Sequence, residues 1–160
     1  MAETNIHQYT VQEKLNKMDI DLIDVSPTCE TNGADANELI VSQSNGVIPN
    51  AVAVGSGTSL LQSMLVMCKT ETLFHTYEII FYSSSVTTAD LKRNILGTIN
   101  ISLTEARNTA LAFENVENIG LVLQGDEDKK VYFTVYNKTA VGSGDHAADE
   151  LTFRFGIMKD

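Results

Sequence analysis

After residue 20 hydrophobic and polar residues alternate with a period of two along most of the chain. In ELTFRFGIM (150–158), Leu151, Phe153, Phe155 and Ile157 fall on one face and Thr152, Arg154 and Met158 on the other. In KVYFTVYNK, Val131, Phe133 and Val135 alternate with Tyr132, Thr134 and Tyr136. In LFHTYEIIFYSSSVTTAD (73–90), Tyr77, Ile79 and Phe81 are expected to face the core, and Ser83–Ser85 to be the turn that leaves the strand. This is the period of a strand with one buried face. IDLIDV (20–25), ELIVS, TSLLQSMLVMCKT (58–70), LGTINIS (96–102) and NIGLVLQ (118–124) are further strand candidates.

Turn chemistry separates these runs. PTCETNGADANE (27–38) reads as a polar loop, Asn45-Gly46 as a turn, and Pro49 as the mark of an edge or bulge. The 58–70 strand and HTYEIIFYS read as the strongest hairpin. GDEDK reads as a second hairpin turn, and AVGSGDHAAD as a Gly-rich loop. Seven or eight such strands predict an all-β domain, an antiparallel β-sandwich or distorted barrel.

Two stretches depart from this period. Thr10 and Glu13 have capping-box spacing, and Val11, Leu15 and Met18 then form one apolar stripe at i, i+4 and i+7. Glu13 and Lys17 add an i,i+4 pair. A helix this short is not stable alone in water, so its stripe needs a docking partner. Ser102 and Glu105 repeat the capping spacing, which predicts a short helix or helical turn over 103–112. The chain thus divides into an N-terminal arm, 1–19, and a single β domain, 20–160.

Composition narrows the partners. Hydrophobic residues make up 43% and charged ones 20% of the 160 residues, enough to build one core. Lys and Arg total 11 against 21 Asp and Glu, a net charge of −10. The longest basic runs are Lys92-Arg93 and Lys129-Lys130, too few cations for direct nucleic-acid binding or for an anionic membrane. No apolar run approaches the length of a membrane span, and MAETNIHQYT does not read as a signal peptide. Cys29 and Cys68 lack metal or redox spacing and read as two free thiols.

The chain offers little chemistry. His7, His75 and His146 show no HxH or HExxH spacing. His146 beside Asp145 and Asp149 lies in the Gly-rich loop and reads as solvated. The GSG runs at 55–57 and 142–144 lack phosphate-loop spacing, and DEDK and DANE lack that of a calcium loop. Tyr132 and Tyr136 are candidates for an exposed sheet face, as a sugar- or partner-binding platform or as a cover that meets a neighbouring subunit. No catalytic residue, cofactor or metal is expected. The chain reads as a binding or assembly module rather than an enzyme.

SGTSLLQSMLVMCKTETLFHTYEIIFYSSSVTTAD resembles a pattern in the cement, or head-decoration, proteins of tailed bacteriophages. The matching positions are Leu61 and Ser63, Ile80 and Phe81, and Thr88 with Asp90. Downstream, Tyr132, Thr139 and a final alternating strand closed by Asp160 resemble the rest. The resemblance covers roughly residues 46–160. It differs where DLKRNIL stands in place of the family's Asn and small residues, and where Ser and Val replace a Pro.

The resemblance implies a virion structural protein, made in the host cytoplasm. It would bind the outside of an icosahedral capsid, with the major capsid protein as partner, as a homo-oligomer, a trimer. The arm residues Val11, Leu15 and Met18 would be partner-binding. A tail-tube or head-completion protein, or a glycan-binding β-sandwich module, are the alternatives.

Overall fold

A computed structural model describes residues 20–30, 36–69, 75–85, 94–103, 106–108, 111–139 and 147–159. Ten strands occur among them: β1 (Ile20–Val25), β2 (Leu39–Val41), β3 (Val47–Ile48), β4 (Thr58–Cys68), β5 (Thr76–Tyr82), β6 (Ile95–Ser102), β7 (Ala106–Asn108), β8 (Leu111–Gln124), β9 (Val131–Asn137) and β10 (Leu151–Lys159). They form two sheets, β1-β10-β4-β8-β7 and β2-β9-β5-β6, with β3 also on β9. We term these sheets A and B. All the pairings are antiparallel.

Apart from the short β3 and β7, the pairing is nested: β5 with β6, β4 with β8, β2 with β9, β1 with β10. It is one long hairpin of strand pairs, and successive pairs alternate between the sheets. A hairpin rolled up in this way is a jelly roll. The arrangement hides the alternating apolar faces of both sheets against each other.

The core shows why the period of two is so clear. Tyr77, Ile79 and Phe81 on β5, and Leu151, Phe153, Phe155 and Ile157 on β10, are all fully buried. Phe133 meets Phe153 and Phe155 edge to face, with ring centroids 5.2 and 5.4 Å apart, and Phe81 meets Phe155 at 6.1 Å. Such pairs contribute about 0.5–1.5 kcal/mol each beyond their area. Cys29 and Cys68 lie inside this core and are not joined in a disulfide.

Three expectations about connection need correcting. β4 and β5 form no hairpin, because β4 belongs to sheet A and β5 to sheet B. GDEDK likewise carries the chain from β8 in sheet A to β9 in sheet B. A short polar turn serves an arch between sheets as readily as a hairpin within one. Helix is also not what 106–108 and 111–112 adopt. Ala112 pairs with Cys68 on one side and Ala106 on the other, so ladder pairing overrides the capping signal. The strand expected at 118–124 accordingly begins at Leu111. The arm stripe Val11, Leu15 and Met18, together with Thr88, Asp90, His146 and Asp160, lies outside the described residues.

Candidate functional site

On β1 the inward residues are Ile23 and Val25, which pack on the core opposite Phe155 and Phe153. Alternation therefore turns Ile20, Leu22 and Asp24 outward. Ile20 is 52% and Leu22 65% exposed, high values for such side chains on an ordered strand. Register then builds a row that no single strand contains. Ile20 stands opposite Met158, Met158 opposite Leu60, and Leu60 opposite Val122. Four apolar side chains cross four strands at one end of the outer face of sheet A. Met158 and Leu60 are half-buried, while Val122, like Ile20 at the other end, is 58% exposed.

Two charged pairs fasten β1 to β10. Arg154 donates from Nε to Asp24 Oδ1 at 2.7 Å and from a terminal nitrogen to Oδ2 at 2.9 Å. That hydrogen bonding holds the Asp24 carboxyl below its ordinary range, against a smaller opposing effect of burial. Lys159 Nζ lies 2.6 Å from Asp21 Oδ2. The edge strand is thus pinned to β10 while Ile20 and Leu22 face outward.

The outer face of sheet B differs from expectation. Tyr132 is only 8% exposed, so it is not part of an exposed platform. Val47 of β3 pairs beside it on one flank and Tyr82 on the other. Its hydroxyl donates to Asp126 Oδ2 at 2.7 Å. Burial raises the Asp126 pKa, but hydrogen bonds from Tyr132 and from the backbone of Lys130 and Asp128 outweigh it and hold the group low. Tyr132 is a strut between β9 and the 125–130 turn. Tyr136 is half-buried, between Leu39 and Glu78 in the register, with Asn100 beyond Glu78.

A polar group at the opposite end of the sandwich was not visible in the sequence. His75, Asn137 and Glu150 are buried there alongside Cys29, Cys68 and Tyr77. Burial lowers the His75 pKa, opposed by a hydrogen bond with the Asn137 side chain and by the charge of Glu150. Burial raises the Cys29 thiol, so it stays protonated and is a poor nucleophile at neutral pH. Glu150 accepts from the backbone N–H of Ala147 at 2.8 Å, closing the turn before β10. These groups come from five separate segments, and no linear spacing announces them. Among the described residues no group of three or more His, Cys, Asp or Glu is placed to hold a metal ion.

No family model matches the chain, and no curated protein matches it. Among solved structures it is similar to the capsid of Ralstonia phage GP4, with a TM-score of 0.45 and 12% identity over 90% of this chain and 85% of that one. It is similar to a carbohydrate-binding module from glycoside hydrolase family 9 (Cel9A) of Ruminococcus flavefaciens FD-1, with a TM-score of 0.45 and 10% identity over 86% and 98%. Tomato aspermy virus gives a TM-score of 0.37 and 16% identity over 88% and 76%.

Proposed function

We propose that this chain is a structural virion protein that binds the exterior of an icosahedral phage capsid and reinforces it. The observation that carries the reading is the apolar row Ile20, Met158, Leu60 and Val122, on the strand edge from which the arm leads off. Such a surface suits assembly better than chemistry. The resemblance of residues 46–160 to cement proteins supports the same reading. The jelly roll is compatible with it but decides nothing alone, since capsid and lectin domains share that architecture.

In this reading the partner is the major capsid protein and the free protein is a homotrimer. The arm residues Val11, Leu15 and Met18 engage a neighbouring chain or the shell on assembly. Nucleic acid and membrane are not touched directly. The mechanism is mass action: a ligand of the assembled shell that ignores free subunits stabilises the shell by its binding free energy. A contact of ~1,600 Å², repeated over the lattice, adds up to a large resistance to internal pressure. The net charge of −10 steers the protein toward basic capsid residues.

The test is to add purified chain to shells that lack it and to count occupancy by electron microscopy. Saturable binding that weakens as salt rises is expected. Bare shells at every salt concentration would sink the proposal. The mass of the free oligomer separates the nearest rival, because rings or hexamers favour a tail-tube or head-completion protein. A second reading, a glycan-binding module, is favoured by half-buried Tyr136 in register with Glu78 and Asn100. Glycan-array binding that is lost in Tyr136→Ala would support it.

A further inference from the structure

β1 is the outermost strand of sheet A and pairs on one side only, with β10. Its six residues pair without a register shift, and among the described residues their backbone is bonded to no other segment. The remaining sheet edges are poor templates for a further strand. β2, β3 and β7 are two or three residues long. β6 is irregular where it meets Phe81 and Tyr82, and it lies against β8, where a Cβ on Gly97 would meet Leu121. A free edge is normally guarded by charge, proline or a bulge. IDLIDV has no proline and no bulge. Both of its acids are already engaged, Asp24 by Arg154 and Asp21 by Lys159. In a chain of net charge −10 this edge is therefore locally balanced, and a second copy meets no uncompensated acid there.

We infer that β1 pairs with β1 of a second copy, antiparallel about a two-fold axis, and joins two A sheets edge to edge. Face and charge fix the register. Residues opposed across an antiparallel pair share a face, so a register that keeps both cores on one side centres on a residue and not between two. Centring on Asp21 or Asp24 sets a carboxylate against its own copy. Centring on Ile20 or Val25 leaves too short a pair. Centring on Ile23 sets Leu22 against Asp24. Centring on Leu22 sets it against itself, Ile20 against Asp24 and Asp21 against Ile23, so no acid opposes an acid. It also covers Leu22, at 65% the most exposed apolar residue of the strand. The contact is small and belongs to the weak class. It doubles whatever unit the free chain otherwise forms, and it does not depend on the capsid reading. Where that reading holds, copies held side by side on a shell make the contact at high effective concentration.

The test uses the full chain. Sedimentation should show the mass of the unit doubling between ~10 μM and ~1 mM, as for a weak contact. No doubling by the upper concentration would overturn the inference. Leu22→Lys should abolish the doubling, because like charges then stand opposite each other, while a site this exposed tolerates the side chain. Doubling that survives this variant would put the contact elsewhere and overturn the inference. Cross-linking gives an independent measurement. Leu22→Cys should close a disulfide between copies under mild oxidant much faster than Val54→Cys, an equally exposed site outside the strands. The native thiols are buried and do not compete. Equal rates would overturn the inference. Amide exchange over 20–25 should slow as concentration rises. Protection that is the same at every concentration would make a segment of the same chain the occupant, and would also overturn it.

Discussion

Arg154 holds Asp24 by two parallel hydrogen bonds, at 2.7 and 2.9 Å, joining the last described strand to the first. The carboxyl titrates below its ordinary range because its charged form is the one bonded. The stabilisation is therefore present above the unfolded value of ~3.9 and is lost as pH falls through the lower folded value. Asp24→Asn should flatten this acid limb and leave stability near neutral pH little changed, since both groups are well exposed to solvent. Urea melts at pH 7 and across the acid range check it. An unaltered acid limb would mean that the fork does not form in solution.

Phe81→Ala should destabilise the domain by about 3–5 kcal/mol, because the ring is fully buried and touches Phe133 and Phe155 from the opposite faces of the sandwich. Denaturant midpoints with an unchanged m-value are the measurement. A shift near zero would mean that the two sheets do not pack as described.

Gly46→Ala should also be costly, by a backbone route. A Cβ there would sit 2.1 Å from the carbonyl oxygen of Phe133, while the Gly46 carbonyl accepts from the Phe133 N–H at 2.8 Å. Neither backbone can yield without loss of this bond, so a loss of roughly 1–3 kcal/mol is expected. Thermal melting of the single variant is sufficient, and a neutral result would place the turn away from β9.

His75 should make the domain less stable as the medium is acidified. Its pKa is lowered from 6.5 by burial, with Asn137 and Glu150 opposing. The stability contributed by the neutral ring is present above the unfolded value and is lost as pH falls through the folded one. His75→Gln should reduce the slope of stability against pH below 6.5. An NMR titration of the ring that gives an ordinary or raised pKa would refute the assignment.

The face of each strand was readable because alternation depends only on neighbours in sequence. Tyr77, Phe81, Phe153 and Phe155 are inside for that reason. Partnership was not readable. Leu60 and Val122 are 62 residues apart, and what makes them neighbours is register rather than any local signal. The same gap explains Tyr132. Its alternation correctly sets it opposite Phe133, but β3 and the 125–130 turn close over that outer face, and nothing in VYFTVYN foretells them. The bulge on β4 is a further case, since Gln62 is skipped in the pairing between Leu61 and Ser63. Across it β8 inserts Asn118 and Gly120, both with positive φ, inside a stretch whose pattern reads simply as a strand.

The nested pairing has a consequence for synthesis. Ile20 emerges from the ribosome 138 residues before its partner Met158. The first strand therefore cannot be placed during translation, however early it appears. The innermost pair, β5 and β6, can zip as soon as both have been made, and each later strand closes one more layer outward. Loop closure between distant segments is slow, so β1, with its exposed Ile20 and Leu22, waits longest as an unpaired apolar segment. A nascent chain stalled before β10 should bind a chaperone through β1 and release it once β10 is made.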